Sequence, residues 1–177
     1  MSNSTILKES TKDLHDNVER VMNSSLLFSN QFTTQHYTSF IVKSYEYVFV
    51  ITDSVQKNWP EYAAVLLSKK GALLHDLEHL SAEPNVNTLK KIDETDKYYQ
   101  LGLIYIVLGA MLGNKVIWNK LKSNPAFSDF PFNYLSHHQE DLSTLWKNFQ
   151  DQVNALSSTQ LNQVIQGAKK GYSLFGE

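Results

Sequence analysis

The apolar residues of this chain recur at intervals of three and four along most of its length, which is the spacing of one face of an α-helix. Near the amino terminus, Leu7, Leu14, Val18 and Met22 fall on one such face. Further apolar stripes of this kind run through residues 37–55, 73–80, 95–121, 142–153 and 161–175. We find no sustained alternation of apolar and polar residues, which a half-buried strand would show. The pattern therefore predicts an all-α fold.

Capping and turn residues predict where these helices begin and end. Thr33 or Thr34 can cap the second helix, Pro60 suits the first turn of the next, and Gly71 predicts its end or a kink. Two sequence pairs with the capping-box pattern predict the starts of the last two helices: Ser136 with Gln139, and Ser157 with Gln160.

Composition narrows the classes of protein. A chain of 177 residues suits one domain, which we expect to span residues 1–177. The absence of cysteine excludes disulfides and thiolate metal ligands, and with a polar amino terminus it predicts a cytoplasmic protein. The longest apolar run, Leu101–Leu112, is too short for a membrane span. A net charge of −2 offers no basic surface, so we expect neither a membrane nor nucleic acid as a partner.

His15 is the first candidate for site chemistry, because it borders the apolar stripe of the first predicted helix. It stands four residues after Thr11, and Glu19 follows one turn later, where its carboxylate can reach the imidazole. A histidine oriented by a carboxylate is how proteins present a neutral imidazole nitrogen to a metal. On this pattern alone His15 is equally a structural helix-flank residue, which is the commoner case.

Three glycines of the predicted helix 95–121 share one face: Gly102, Gly109 and Gly113. Each glycine costs a helix interior about 1 kcal/mol relative to alanine, so three together need a reason. One reason is close packing against another helix, and the other is a flat ligand lying against bare backbone. The spacing by itself favours packing.

Two segments resemble the haem oxygenase family. LKESTKDLH, residues 7–15, with Val18 and Glu19 behind it, resembles the opening helix that carries the proximal iron ligand. YIVLGAMLGNKVI, residues 105–117, is similar to the glycine-bearing distal helix. A weaker likeness runs through Trp146, Phe149 and the C-terminal helix, and the bacterial, phytochrome-associated branch looks closest. The resemblance implies a single-domain haem oxygenase-like helical bundle, all-α in class.

The resemblance also implies an activity. Haem would lie between the two helices as both substrate and cofactor, and would be cleaved oxidatively to biliverdin, carbon monoxide and iron. The reaction would consume dioxygen and need an external reductant, because no dinucleotide-binding motif is present to hold a flavin or nicotinamide. The implied electron donor is a ferredoxin or a flavoprotein reductase. The branch suggests a bilin-using phytochrome as a further partner.

The same resemblance assigns roles to individual residues. His15 would be the proximal ligand of the haem iron, with Glu19 orienting it, while Gly109 and Gly113 would form the distal wall. The other candidate haem-binding residues are those that could pair with propionates or approach the pocket: Lys8, Lys12, Lys169, Lys170, Tyr105 and Ala110.

The chain departs from the family at two positions. Ala110 stands where the animal enzymes place an aspartate, which the phytochrome-associated branch also lacks. Asn114 stands where the family usually has the second glycine of a Gly-Gly pair. We include Asn114 among the catalytic candidates, because an amide near bound oxygen could donate a hydrogen bond or narrow the pocket.

Two other classes of protein and one other motif remain open. Asn114 favours a haem-binding sensor or carrier of the same fold that never turns over. If His15 and the glycines are purely structural, the chain is a helical interaction module. His75, Glu78 and His79 match the H-x-x-E-H zinc pattern, but this pattern is short and no third ligand is identifiable. The pair His137-His138 has no partner at ligand spacing.

Overall fold

The computed structural model describes residues 1–176, and over that range the chain forms seven α-helices and no β-strand. The helices are α1 (Asn3–Val21), α2 (Thr34–Val55), α3 (Pro60–His79), α4 (Lys97–Leu121), α5 (Asn133–Ser136), α6 (Leu142–Asn154) and α7 (Ser158–Gly176). Three 3₁₀ turns stand between them: Ser24–Phe28, Val86–Thr88 and Pro125–Phe127. The prediction of an all-α fold is confirmed.

Two of the predicted helix starts follow the capping chemistry read from the sequence. Thr33 caps α2, since its Oγ1 accepts from the backbone N–H of His36 while the Thr33 N–H donates to His36 Nδ1. Before α7, the Ser157 N–H donates to Gln160 Oε1 over 2.9 Å. Gly71 neither ends nor breaks α3, which continues to His79.

The capping box predicted at Ser136 and Gln139 is wrong. Ser136 belongs to the short helix α5, where its hydroxyl donates to the carbonyl of Phe132, and the Gln139 amide donates to the carbonyl of Leu135. Helix α6 begins later, at Leu142. The reason lies in α5 itself, because the buried Asp76 carboxylate accepts the backbone N–H groups of Asn133 and Tyr134 and starts a helix there.

Helix α4 is the central element of the core. Nine of its first twelve residues are buried in a continuous run, and α7, α2, α5 and α6 all pack against it. Its length and composition alone would suit a membrane span, but 56% of its most apolar stretch of 18 residues is buried inside the protein. That burial is typical of the core helix of a soluble fold.

The crossing of α4 and α7 explains one of the three glycines. A Cβ added at Gly102 would lie 2.1 Å from the carbonyl oxygen of Val164, and one added at Gly167 would lie 2.0 Å from that of Tyr99. No side chain fits at such distances, so the two backbones are in direct contact here. Gly102 is therefore a packing glycine.

Candidate functional site

Helix α4 contacts α1 near Tyr105, and near its own end it contacts the 3₁₀ turn that follows α1. At the first, the Tyr105 hydroxyl of α4 lies against Thr11 of α1, close enough to affect the pKa of the tyrosine. At the second, Lys120 near the end of α4 places its Nζ 5.4 Å from the ring centroid of Phe28, in the 3₁₀ turn that follows α1. His15 stands one turn beyond Thr11, and Gly109 one turn beyond Tyr105. We call the exposed surface between these two contacts, with His15 on the α1 side and Gly109 and Gly113 on the α4 side, the cleft.

The α4 side of this cleft is open and apolar. A Cβ added at Gly109 or Gly113 would meet no neighbouring atom within 4 Å, in contrast to Gly102. Leu112 and Val116 share this face and are 40% and 50% exposed. Phe28, at the end of the cleft, is 67% exposed. Exposed apolar side chains that cluster around bare backbone indicate a surface that a ligand or partner covers.

On the α1 side, His15 stands between two carboxylates. Its side chain is 53% exposed, with Nδ1 3.6 Å from Asp16 Oδ1 and Nε2 3.8 Å from Glu19 Oε1. One ligand atom from each of the three residues lies within 4.8 Å of the others. Glu19 occupies the place that its spacing predicted, whereas Asp16 was not foreseen. An imidazole that is exposed and flanked by carboxylates is suited to binding a metal through one nitrogen.

Behind His15 stands Tyr172 of α7, which sequence analysis placed only in the core stripe. The two ring centroids are 6.1 Å apart, with the planes at 82°. Burial, then Tyr105 and Glu19, raise the pKa of Tyr172, so its hydroxyl remains protonated. Nothing in the sequence separates Tyr172 from the other apolar positions of the last helix, because the contact is made between helices distant in sequence.

Tyr105 closes one end of the cleft as part of an aromatic stack. Its ring lies 6.0 Å from that of Trp146 and 5.8 Å from that of Phe149, at interplanar angles of 29° and 22°. Burial raises the pKa of Tyr105, and contacts of its hydroxyl with Thr11 and Tyr172 oppose that shift. Tyr105 is thus a rigid, protonated group at the cleft's end.

The four candidate lysines are all exposed, and none of them forms an ion pair with any residue in 1–176. Lys8 lines a cavity of about 100 Å³ beside Tyr105, at the closed end of the cleft. Lys12 lies one turn before His15, and Lys169 one turn before Tyr172. Lys170 follows on the same exposed part of α7. The structure therefore distributes free ammonium groups around the His15 side of the cleft.

Asn114 does not face the cleft, contrary to the sequence-based expectation. It is 0% exposed, whereas the adjacent Gly113 is open to solvent, because each residue turns the helix by about 100°. Its amide atoms make no hydrogen bond in the described chain. They lie near the buried hydroxyl of Tyr134, as does the side chain of Ser44. Burial raises the pKa of Tyr134, and these two neighbours lower it. Ala110 is half-buried beside Gly109.

Comparison with protein families identifies the chain. The family model described as heme oxygenase matches residues 1–177. The chain belongs to the haem oxygenase family. Membership assigns it haem degradation, with haem as the substrate and dioxygen as the co-substrate. A haem oxygenase also requires electrons, and the family implies a reductase partner in general terms.

Solved haem oxygenases share the fold of this one. The enzyme from Leptospira interrogans is 18% identical, with a TM-score of 0.73, and the match covers 99% of this chain and 97% of the other. The NO- and CO-bound enzyme from Neisseria meningitidis is 19% identical, with a TM-score of 0.72 and coverages of 99% and 88%. The haem complex from Synechocystis sp. PCC6803 is 14% identical, with a TM-score of 0.74 and coverages of 99% and 90%. No curated protein matched the sequence.

Proposed function

We propose that this haem oxygenase binds haem in the cleft between α1 and α4 and cleaves it to biliverdin, carbon monoxide and iron. The observation that carries the proposal is the pairing, across one cleft, of an exposed histidine flanked by carboxylates with an apolar, glycine-lined helix face. A planar macrocycle fits such a cleft because its faces are apolar and its edge carries the charges. We take residues 1–177 to be one domain for this purpose.

His15 would be the proximal ligand of the iron. Either ring nitrogen is available, since the carboxylates of Asp16 and Glu19 approach at 3.6 and 3.8 Å without forming a short hydrogen bond. When one nitrogen binds the metal, the carboxylate on the other side accepts the remaining N–H and fixes the ring. Tyr172 then limits rotation of the imidazole from behind, because its buried ring stands edge-on to that of His15.

The opposite wall would be Gly109 and Gly113, with Ala110 beside them. Bound haem supplies the iron that binds dioxygen and the ring carbon that becomes oxidised. The α4 face contributes space, because Gly109, Leu112, Gly113 and Val116 present no acid or base to the cleft. Protons for the reaction would therefore come from water in the cleft. We propose that Asn114 makes no contact with bound oxygen, because its side chain is buried.

The haem propionates would be paired by lysines at the rim of the cleft. Lys8 is the first candidate and Lys12, one turn before His15, the second, while Lys169 and Lys170 of α7 could close the same edge. Lys8 would act at the Tyr105 end, where it lines the small cavity. Tyr105 itself would contact the edge of the macrocycle. An unpaired ammonium at each of these points can neutralise a carboxylate that would otherwise be desolvated.

Electrons would come from a separate ferredoxin or flavoprotein reductase. A bilin-using phytochrome is the partner we propose for the product, on the sequence resemblance to the phytochrome-associated branch. We propose a cytoplasmic location, where such donors are found and where proteins do without disulfides, as a cysteine-free chain does. The sensor or carrier alternative rested on an amide beside bound oxygen, and the burial of Asn114 gives it no support.

The test is a titration of the purified protein with haemin, followed by a chemical reductant in air. We expect a Soret band that saturates at one haem per chain, then decays while biliverdin absorption grows. His15→Ala should alter the ferric spectrum and weaken haem binding at least tenfold, while His79→Ala, an exposed histidine of α3, should behave as wild type.

Each contrary result points to a different protein. A Soret band that is stable to reductant and oxygen would make the chain a haem carrier or sensor. No Soret band would leave a helical interaction module whose apolar cleft binds a protein. If His15→Ala kept the wild-type ferric spectrum, another residue would be the iron ligand.

A further inference from the structure

A second cavity, larger than the one beside Tyr105, lies outside the haem cleft. It measures about 530 Å³ and is formed by α3, by α5 and by residues 137–141, which lie between α5 and α6. It shares no lining residue with the haem cleft. Three of the six histidines of the chain line it, His75, His137 and His138, together with the carboxylates of Glu140 and Asp141. The cavity therefore gathers side chains that the sequence keeps more than sixty positions apart.

Each of these histidines has one ring nitrogen engaged by a polar neighbour. His138 Nδ1 lies 3.5 Å from Asp141 Oδ2, and His75 Nδ1 lies 3.8 Å from Glu78 Oε2. His137 Nε2 lies 2.5 Å from the Ser68 hydroxyl. In metal sites, a ligating imidazole is held in this way by an oxygen partner on its other nitrogen.

The opposite nitrogen of each ring makes no hydrogen bond in the described chain. His138 Nε2 is buried and has no hydrogen-bond partner in the described chain, which is costly for a polar atom unless something binds it. His137 Nδ1 and His75 Nε2 likewise enter no hydrogen bond among residues 1–176. The rings of His137 and His138 are 4.4 Å apart at 71°, so their free nitrogens can approach one point.

The backbone that carries the two adjacent histidines is fixed from inside the protein. Lys69 is 0% exposed, and its Nζ donates to the carbonyl oxygens of His137 over 2.7 Å and Tyr134 over 3.2 Å. Glu140 and Asp141 add negative charge at the cavity wall. These features favour a cation over an anion.

We propose that this cavity binds a divalent first-row transition ion such as Zn²⁺, with His137 and His138 as ligands and His75 as the third. The three nitrogens do not yet lie within one coordination sphere, and His75, whose side chain is 68% exposed, turns to complete it. Glu140 or water fills the fourth position of the tetrahedron that zinc prefers. The bound ion would join α3 to the segment before α6.

In this site His75 would act with His137 and His138 and not with His79. The H-x-x-E-H pattern would pair His75 with His79, but His79 Nδ1 lies 2.8 Å from the carbonyl of His75, and its ring packs against Phe130. His79 does not line the cavity. One helix histidine and a pair of loop histidines that are distant in sequence would thus form one site, and the H-x-x-E-H pattern would name the wrong second ligand.

The test measures Zn²⁺ binding by competition with a chromophoric chelator, without haem. His15, Asp16 and Glu19 could also hold a metal, so every measurement is made in a His15→Ala background. We expect one Zn²⁺ per chain with micromolar affinity, and a Co²⁺ spectrum with tetrahedral intensity. His137→Ala and His138→Ala should each weaken binding at least tenfold, while His79→Ala should not change it.

Thermal unfolding separates a lost ligand from a lost fold. Zn²⁺ should raise the midpoint of the His15→Ala protein and leave that of His15→Ala/His138→Ala unchanged, with both metal-free proteins unfolding cooperatively. No Zn²⁺ binding in the His15→Ala background would overturn the proposal. A loss of binding in the His79→Ala variant with none in the His138→Ala variant would also overturn it, because it would place the ion on α3 alone. Neither result depends on haem turnover.

Discussion

Helix α4 uses glycine in two opposite ways within three turns. At Gly102 the backbone of α7 lies so close that an added Cβ would stand 2.1 Å from a carbonyl oxygen. At Gly109 and Gly113 an added Cβ would meet nothing within 4 Å. The first glycine lets two helices touch, and the other two leave one face of the same helix bare.

The difference shows why glycine spacing alone could not separate packing from ligand binding. The three glycines share one face by their spacing, yet that face is covered at its start by α7 and left open toward its end. What distinguishes them is the path of the neighbouring helices. A glycine that meets nothing costs helix stability without a packing gain, and it is retained most simply because a ligand uses the space.

The largest effect on stability is expected at Gly102, where the backbone of α7 leaves no room for a side chain. Gly102→Ala should destabilise the protein by more than about 3 kcal/mol, above the usual cost of overpacking, because the obstructing atoms are backbone and cannot rotate away. Gly113→Ala is the matched control, and it should stabilise α4 by about 0.5–1 kcal/mol, since alanine is the better helix former. Urea unfolding of the haem-free proteins measures both. Similar values for the two variants would show that α7 does not press on Gly102.

A smaller effect on stability, but a large one on binding, is expected at the open glycines. Gly109→Leu should keep or slightly raise the thermal midpoint, yet weaken haem binding at least tenfold, because the side chain fills the space against the macrocycle. Gly71→Leu is the control, because Gly71 of α3 also meets nothing within 4 Å but lies outside the cleft. Haemin titration compares them. Wild-type affinity in Gly109→Leu would remove haem from this face of α4.

Much of this architecture could be predicted from the sequence. The apolar periodicity identified the long helices, and the Ser157 capping box marked the start of α7 correctly. The capping box at Ser136 failed because Asp76, from a distant part of the chain, satisfies the amides of α5 and starts a helix there instead. A rule based on neighbouring residues cannot predict a partner that is distant in sequence.

The candidate site likewise contains residues that the sequence could bring together and residues that it could not. His15 and Glu19 are neighbours on one helix, so their spacing sufficed to bring them together. Tyr172 and the exposed Leu112 could not be found, because their surroundings depend on how α7 and α1 pass α4. The orientation of Asn114 was missed for a related reason, since a family alignment gives its position along α4 but not the direction of its side chain.

The smallest effect on stability and activity is expected at Asn114. Its substitution also tests most directly which face of α4 lies toward the haem. Its amide is buried with no hydrogen bond in the described chain, so it contributes little net stability. Asn114→Leu, which keeps the number and branching of the non-hydrogen side-chain atoms, should change the free energy of unfolding by about 1 kcal/mol or less. The haem spectrum and the rate of biliverdin formation should match wild type, because the side chain points away from the cleft toward Ser44 and Tyr134. An altered spectrum of the oxygen-bound or ferric protein, with stability unchanged, would instead place this amide beside the iron. The haem would then lie against the Asn114 face of α4 and not against the face of Gly109 and Gly113.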